Sequence, residues 1–331
     1  MNRLLTPKVL GAVAVVLIAM IASVFIAPVP LPGIQLPAEP VALGPITLPN
    51  TFIHTLVADI IVLGIAIAAT RNMSLVPGGL QNLAEWMVEG FYNLTEDVSG
   101  DYARKFFPWV MTIFLLVLVA NWLELVPGVD SIGWLESHEG LPHYPVVQVI
   151  PGVRSIVEGE TIVPEFGEEA GAEEEAVDEV HEAEDHAPLE IDGQEYAVLV
   201  PFLRASATDL NFTFALALIS MFMVQVYGIQ ALGGSYFTKF INFSGPMDFF
   251  VGLIELISEF AKIISFAFRL FGNIFGGQVL LFVMAFLVPW LLPVPFYALE
   301  IFVGFIQAFV FAMLTLVFFA VAVIPHHGEH H

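Results

Sequence analysis

The sequence has no cysteine, which excludes a disulfide framework, a thiolate metal site and a thiol redox motif. It is poor in positive charge, with ten Lys plus Arg against 33 Asp plus Glu, too few cations for a nucleic-acid partner. It contains no GxxxxGK(S/T) loop to cradle a nucleotide phosphate, and no internal repeat of the kind that marks a two-halved transporter. Charge of either sign is scarce, since charged residues make up 13% of the 331 positions and hydrophobic residues 57%. Soluble domains do not reach that balance, so the solvent for most of this chain is lipid.

What is present in its place is a series of continuous apolar runs, each close to the roughly 20 residues that cross about 30 Å of hydrocarbon as a helix. Spans are expected at residues 51–70, 107–125 and 209–229. Residues 1–28 carry Arg3 and Lys8 ahead of a further apolar run, which reads either as an extra span or as a signal peptide. Between residues 80 and 94, Leu80, Leu83, Trp86, Met87, Phe91 and Leu94 alternate at helical spacing with Asn82, Glu85, Glu89 and Asn93. That pattern predicts an amphipathic helix lying in the membrane interface or on a partner helix. Near the end, residues 247–288 and 296–324 are separated by Pro289, Pro293 and Pro295, which no helix interior tolerates, so they form a helical hairpin. Its first arm is twice as long as a perpendicular span needs, so tilt, bending or an end outside the lipid is required. The fold expected is an all-α integral membrane protein with about five to six membrane helices, including this long, tilted C-terminal hairpin, plus one interfacial amphipathic helix.

About half of the acidic residues fall between Glu158 and Glu195, and this run reads as a solvated loop. The expected organisation is therefore an N-terminal hydrophobic segment (1–28), two spans with the amphipathic helix between them (29–126), an external acidic loop (127–205) and a region with the hairpin (206–331). Arg3, Lys8, Arg71, Arg104, Lys105 and Lys239 sort to one side of these spans, with only Arg154 and Arg204 on the other. The positive-inside rule then places the C-terminus in the cytoplasm and the acidic loop outside. The terminal His326, His327, His330 and His331 read as a frayed polar tail rather than a metal site.

Within the long arm, Glu255, Ser258, Lys262, Ser265, Arg269 and Asn273 step by three or four residues and share one helix face. Taken singly, the serines suit backbone carbonyls, and Glu255 with Lys262 suits a structural ion pair. Arg269 resists such a reading, because the positions three and four residues away are Ser265, Phe266, Gly272 and Asn273. A permanently charged guanidinium deep in an apolar run needs a counter-charge from elsewhere. Gly272, Gly276 and Gly277 beside it let another helix approach closely. On the second arm Glu300, Gly304 and Gln307 share a face; with Gln278 opposite, an intramembrane Glu beside two amides suits proton relay. Glu124 closes the third apolar run and Asp209 and Asn211 open the next, which puts them at the external mouth.

Phe268-Arg269-Leu270-Phe271-Gly272-Asn273, then Gly276-Gly277-Gln278 and Phe305-Ile306-Gln307-Ala308-Phe309-Val310-Phe311, resemble the signature of the F-type ATP synthase a subunit. The likeness continues through Asn121-Trp122-Leu123-Glu124 with Pro127, through Ala207-Thr208-Asp209-Leu210-Asn211, and through Glu255 with Ser258. It implies a non-catalytic, ion-translocating stator subunit in the inner (plasma) membrane of a bacterium, with a c-subunit ring, b-type peripheral stalk subunits and lipid as partners and no cofactor. In that reading Arg269 faces the ring, separates two half-channels and releases the proton of each arriving c-subunit carboxylate. Asn273, Gln278, Glu300 and Gln307 line the external half-channel, with Glu124, Asp209 and Asn211 near its mouth; Glu255, Ser258 and Ser265 border the cytoplasmic one. Some relatives carry Glu where this chain has Gln278 and His where it has Glu300, so the acidic relay group sits on the other helix. A Na⁺-coupled version of the same subunit and a polytopic secondary transporter are the alternatives.

Overall fold

The computed structural model describes residues 15–16, 18–24, 29–30, 37–43, 46–76, 78–137, 141–150, 153–157, 159, 161–163, 188–191, 193–240, 245–289 and 291–324. Most of the N-terminal segment, the acidic run over 164–187 and the terminal histidines lie outside the described residues.

A short hairpin of β1 (Pro40–Leu43) and β2 (Ile46–Pro49) leads directly into α1 (Asn50–Thr70). Then come α2 (Leu80–Ser99), a 3₁₀ turn at Gly100–Tyr102, and α3 (Ala103–Glu124). After β3 (Pro127–Asp130), β4 (Gly133–Glu136), β5 (Tyr144–Ile150), β6 (Val153–Ile156), β7 (Leu189–Ile191) and β8 (Gln194–Pro201), the chain returns to helix. It continues as α4 (Leu210–Leu232), α5 (Pro246–Leu287) and α6 (Pro293–Ala322). Among the described residues, five helical stretches are long and apolar enough to cross a membrane: α1, α2 continued into α3, α4 continued to Lys239, α5 and α6. The protein is thus an integral membrane protein whose spans are all helical.

Both arms of the hairpin begin with proline in the first turn, where the missing N–H costs nothing because that donor has no intrahelical partner. The arm α5 runs unbroken for 42 residues, roughly 63 Å at 1.5 Å per residue, twice the hydrocarbon thickness.

Lipid tails are as apolar as leucine, so burial of apolar area does not by itself draw membrane helices together; close contact and polar cross-links do. The core reflects this. Ala217, Ala267, Ala308 and Ala312 are fully buried at helix contacts, and between them Phe106 and Phe114 of α3, Phe311 and Phe319 of α6, and Leu270 of α5 interlock. Phe91 anchors the C-terminal half of α2 to this core, with its ring 4.2 Å from Phe114 and 5.8 Å from Phe309. Leu83 and Trp86, on its N-terminal half, stay exposed. The amphipathic helix therefore gives one half of its apolar face to the bundle. Polar cross-links add direction: Asn121 Nδ2 donates to Gly304 O at 3.2 Å and Trp122 Nε1 to Ile301 O at 3.0 Å, clamping α3 to α6.

The segment read from sequence as a loop, 127–205, contains an antiparallel sheet in the order β4-β8-β5-β6, with β7 also paired to β8. Two links fix it to one end of the helix bundle. Asn50 Nδ2, at the start of α1, donates to Pro201 O at 3.1 Å, and Gln278 Nε2 of α5 donates to Asp130 Oδ2 at 2.8 Å. Lys239 and Glu255 meet at the opposite end. The segments that the positive-inside rule put on opposite sides are thus at opposite ends of the bundle.

Candidate functional site

The stripe predicted on α5 lies along one face but divides into two environments. At its N-terminal end Lys239 Nζ pairs with Glu255 Oε1 at 2.8 Å and with Glu259 Oε1 at 3.5 Å, and Lys262 Nζ pairs with Glu259 Oε1 at 2.9 Å. Gln225 of α4 also donates to Glu259, at 3.3 Å. The pairing of Glu255 with Lys262 weighed from sequence is replaced by this cluster centred on Glu259. Sequence reasoning missed Glu259, since it stands one residue off the stepping that marks the stripe, and two of its three partners, Gln225 and Lys239, come from α4 and the turn after it.

Further along, Ser265, Arg269, Gly272, Asn273 and Gly276 follow on the same arm, and Arg269 is exposed. Arg269 makes no hydrogen bond or salt bridge to any described residue. Around it the surface is open: among the described residues, a β-carbon on Gly272 or Gly276 would meet nothing within 4 Å. A charged group, a flattened helix face and the lack of a partner among the described residues thus coincide in the apolar arm. One turn beyond, Asn273 Nδ2 donates to Gln307 Oε1 at 2.6 Å, joining the two arms beside the arginine.

On the inner face of the hairpin Glu300 and Gln307 are buried, as their shared spacing predicts. Glu300 lies against Gly277, with its carboxyl group where a β-carbon on that glycine would be. Its Oε1, the Nε2 of Gln307, the Oε1 of Glu124 and the Oδ1 of Asn121 are all buried without a hydrogen-bond partner. Buried polar groups left so are rare in folded proteins, and each calls for an explanation. The two amides expected beside Glu300 bond elsewhere: Gln307 to Asn273 and Gln278 to Asp130. Asp130, which sequence reasoning also missed, sits at the end of β3 and is brought here only by the fold.

The three residues expected at the mouth separate. Glu124 is buried within electrostatic reach of Glu300 and Asp130. Asp209 caps α4, its Oδ1 accepting from Asn211 N at 2.8 Å and its Oδ2 from Thr51 Oγ1 at 3.0 Å, which ties α4 to α1. Asn211 itself is exposed. Beyond Glu124, Glu39 and Arg204 join Asp130 in lining a cavity of about 220 Å³ between the sheet and α5. Burial pushes the carboxyl groups of Asp130, to about 6, and of Glu39 above the ordinary carboxylate range, against the lowering influence of Arg204 on both.

These features define a class: a multi-pass α-helical membrane protein with a buried polar chain on one face of its terminal hairpin and an unpartnered arginine on the other. The sequence profile described as ATP synthase A chain matches residues 51–320, and the chain belongs to that family. Among its relatives, the ATP synthase subunit a of a Nitratiruptor species is 29% identical over 290 residues, covering 86% of this chain and 95% of that one. The ATP synthase subunit a of Helicobacter pylori (strain Shi470) is 29% identical over 269 residues, 80% of this chain and 85% of its own. That of Helicobacter hepaticus is 30% identical over 275 residues, 82% and 88% respectively. The chain is accordingly a subunit of a membrane ATP synthase sector, engaged in ion transport together with other subunits.

Proposed function

We propose that this subunit is the stator against which a ring of c subunits turns, with Arg269 as the fixed positive charge between two half-channels. The observation that carries the reading is the state of Arg269: exposed, without a hydrogen bond or salt bridge to any described residue, in the apolar arm just before the bare glycines Gly272 and Gly276. Such a charge is tolerated in lipid only opposite an anion, and the glycine face admits a second helix that brings one.

A proton enters from outside past Glu124, with Asp209 and Asn211 fixing the start of α4 near the entrance, and reaches Glu300 and Gln278. Gln307 and Asn273 then lead from the buried face of the hairpin to the exposed one beside Arg269. The ring carboxylate protonated there is uncharged and turns through lipid. On its return Arg269 stabilises the ionised carboxylate and drives the proton out past Ser265, Ser258 and Glu255 to the cytoplasm. Because guanidinium holds its proton at physiological pH, it blocks direct leakage between the two paths. Each charge falling through about 100 mV delivers about 2.3 kcal/mol to rotation. No nucleotide chemistry is performed by this chain. In this scheme the acidic segment and the sheet are external, the C-terminus is cytoplasmic, and b-type subunits hold the stator still.

The test is Arg269→Ala in the reconstituted complex. The expected result is full assembly, with coupled ATP synthesis lost and with passive ion leakage through the membrane sector; unchanged coupling overturns the reading. Repeating the wild-type measurement with and without Na⁺ at fixed pH separates proton from sodium coupling.

A further inference from the structure

The half-channel reading leaves open how a proton reaches the buried Glu300 from external water. Asp130 offers an answer from its geometry. It is the single described non-glycine residue with positive φ, 59°, a conformation that Asp and Asn tolerate better than other side chains. Its backbone N–H donates to Leu203 O at 3.1 Å, which holds the end of β3 in place. Gln278 of α5 occupies its Oδ2 at 2.8 Å, while its Oδ1 is buried with no partner.

The cavity of about 220 Å³ opens against this residue, between Tyr144 and Val198 on the sheet side and Phe275 and Phe282 on α5. It has room for several water molecules. Glu124 is within electrostatic reach of both Asp130 and Glu300, and Glu124 and Glu300 are each nine-tenths buried and each have an unpartnered carboxyl oxygen.

We propose that Asp130 is the outermost proton-loading group of the external half-channel, taking protons from water in the cavity beneath the sheet and passing them to the carboxylates of Glu124 and Glu300. In the first step an O–H bond of a hydronium ion breaks and a carboxyl O–H bond forms on Asp130. In the second, that bond breaks and the proton forms a new O–H bond on the next carboxylate, returning Asp130 to its anion. Gln278 donates to Oδ2 and so fixes the carboxyl group in place, with Oδ1 left without a partner. The charged and titratable groups around Asp130 are Arg204 and Glu39 in the cavity wall, Glu124 on α3 and Tyr297 on α6. Glu136 of β4 lies within electrostatic reach of Glu39. Burial outweighs Arg204 and Gln278 and raises Asp130 to about 6, which suits a group that must both accept and release protons near neutrality.

The inference rests on the stator reading, and the experiment separates the two. ATP synthesis by the whole complex in liposomes is driven by a fixed proton gradient while the pH on the loading side is stepped from about 5 to about 8. Wild type is expected to show an inflection at about 6. Asp130→Asn keeps the backbone conformation and a hydrogen bond to Gln278; it should assemble, lose the inflection and run severalfold slower over the alkaline half. Asp130→Glu should restore an inflection at a shifted pH. Val198→Phe fills the cavity without altering any protonatable group and should slow loading in the same way. Wild-type rates at every pH for both Asp130→Asn and Val198→Phe overturn the proposal. If that result accompanies loss of coupling in Arg269→Ala, the half-channels stand and only the entry assignment falls. If Arg269→Ala stays coupled, the underlying reading fails.

Discussion

The carboxyl group of Glu300 occupies the space that a side chain on Gly277 would fill, so the two arms of the hairpin meet there as carboxylate on bare backbone. The glycine is required by the approach of α6 and not by its own backbone angles, which are helical. Introducing a β-carbon must push the carboxyl group away or part the arms.

Gly277→Ala is therefore expected to abolish or strongly slow ion conduction while leaving the complex assembled. Alanine is the better helix former by about 1 kcal/mol, which offsets part of an overpacking cost of roughly 1–3 kcal/mol. Passive proton flux through the membrane sector in liposomes measures it, and wild-type flux would show that the position of Glu300 is unimportant.

Gly272 presents the opposite case. A β-carbon placed on it meets no atom of another described element within 4 Å, so Gly272→Leu should leave the thermal unfolding midpoint of the isolated subunit unchanged or slightly raised. In the complex the same side chain stands on the face assigned to the ring, and the ring should fail to co-purify. Retained co-purification with normal ATP synthesis would move the ring contact elsewhere.

Glu259 is the shared anion of two lysines and an amide. Glu259→Gln leaves Lys239, whose side chain is 10% exposed, with Glu255 as its remaining anion and takes from Lys262 its carboxylate at 2.9 Å; a loss of about 2 kcal/mol follows, less than for a buried charge left with no partner. Lys262→Met should cost much less, since Lys262 is more exposed and Glu259 keeps Lys239 and Gln225. Thermal unfolding in detergent distinguishes the two, and equal effects would show that Glu259 is not the centre of the cluster.

The attachment of the external sheet should depend on pH. Asp130 has its folded-state value raised to about 6 from 3.8, and Glu39 is raised in the same direction. The fold thus favours their protonated forms. That contribution is fully present below about 4 and is lost as pH rises through about 6. Hydrogen exchange at β4 and β8 should speed up between about pH 4 and about pH 7 beyond its intrinsic pH dependence, and Asp130→Asn should remove much of the excess.

Much of the site was legible because its signals are local. The stepping from Glu255 to Asn273 needs only helical periodicity, and the isolation of Arg269 follows from reading four residues in each direction along one helix. The strands were not legible in the same way. Tyr-Pro-Val-Val-Gln-Val-Ile in β5 and Tyr-Ala-Val-Leu-Val in β8 have strand composition, but the acidic run between them dominates the segment and suggested a loop throughout. Glu259 and Asp130 were missed for a related reason: what distinguishes each is a partner on another element, Lys239 and Gln225 for one and Gln278 for the other.

The amino-acid order alone determined that this is a helical membrane protein with a proline-broken hairpin and a charged stripe on its long arm. Hydrophobic length, proline and the 3.6-residue period act over one helix at a time and need no neighbour. Only the tertiary structure decided which face of the hairpin is buried and which is open. It also put Asp130 against Gln278, 148 residues away in sequence, and seated Glu300 on Gly277. Contacts between helices in lipid depend on where small residues let backbones meet and which polar groups find one another, and no single stretch of sequence contains both sides of such a contact.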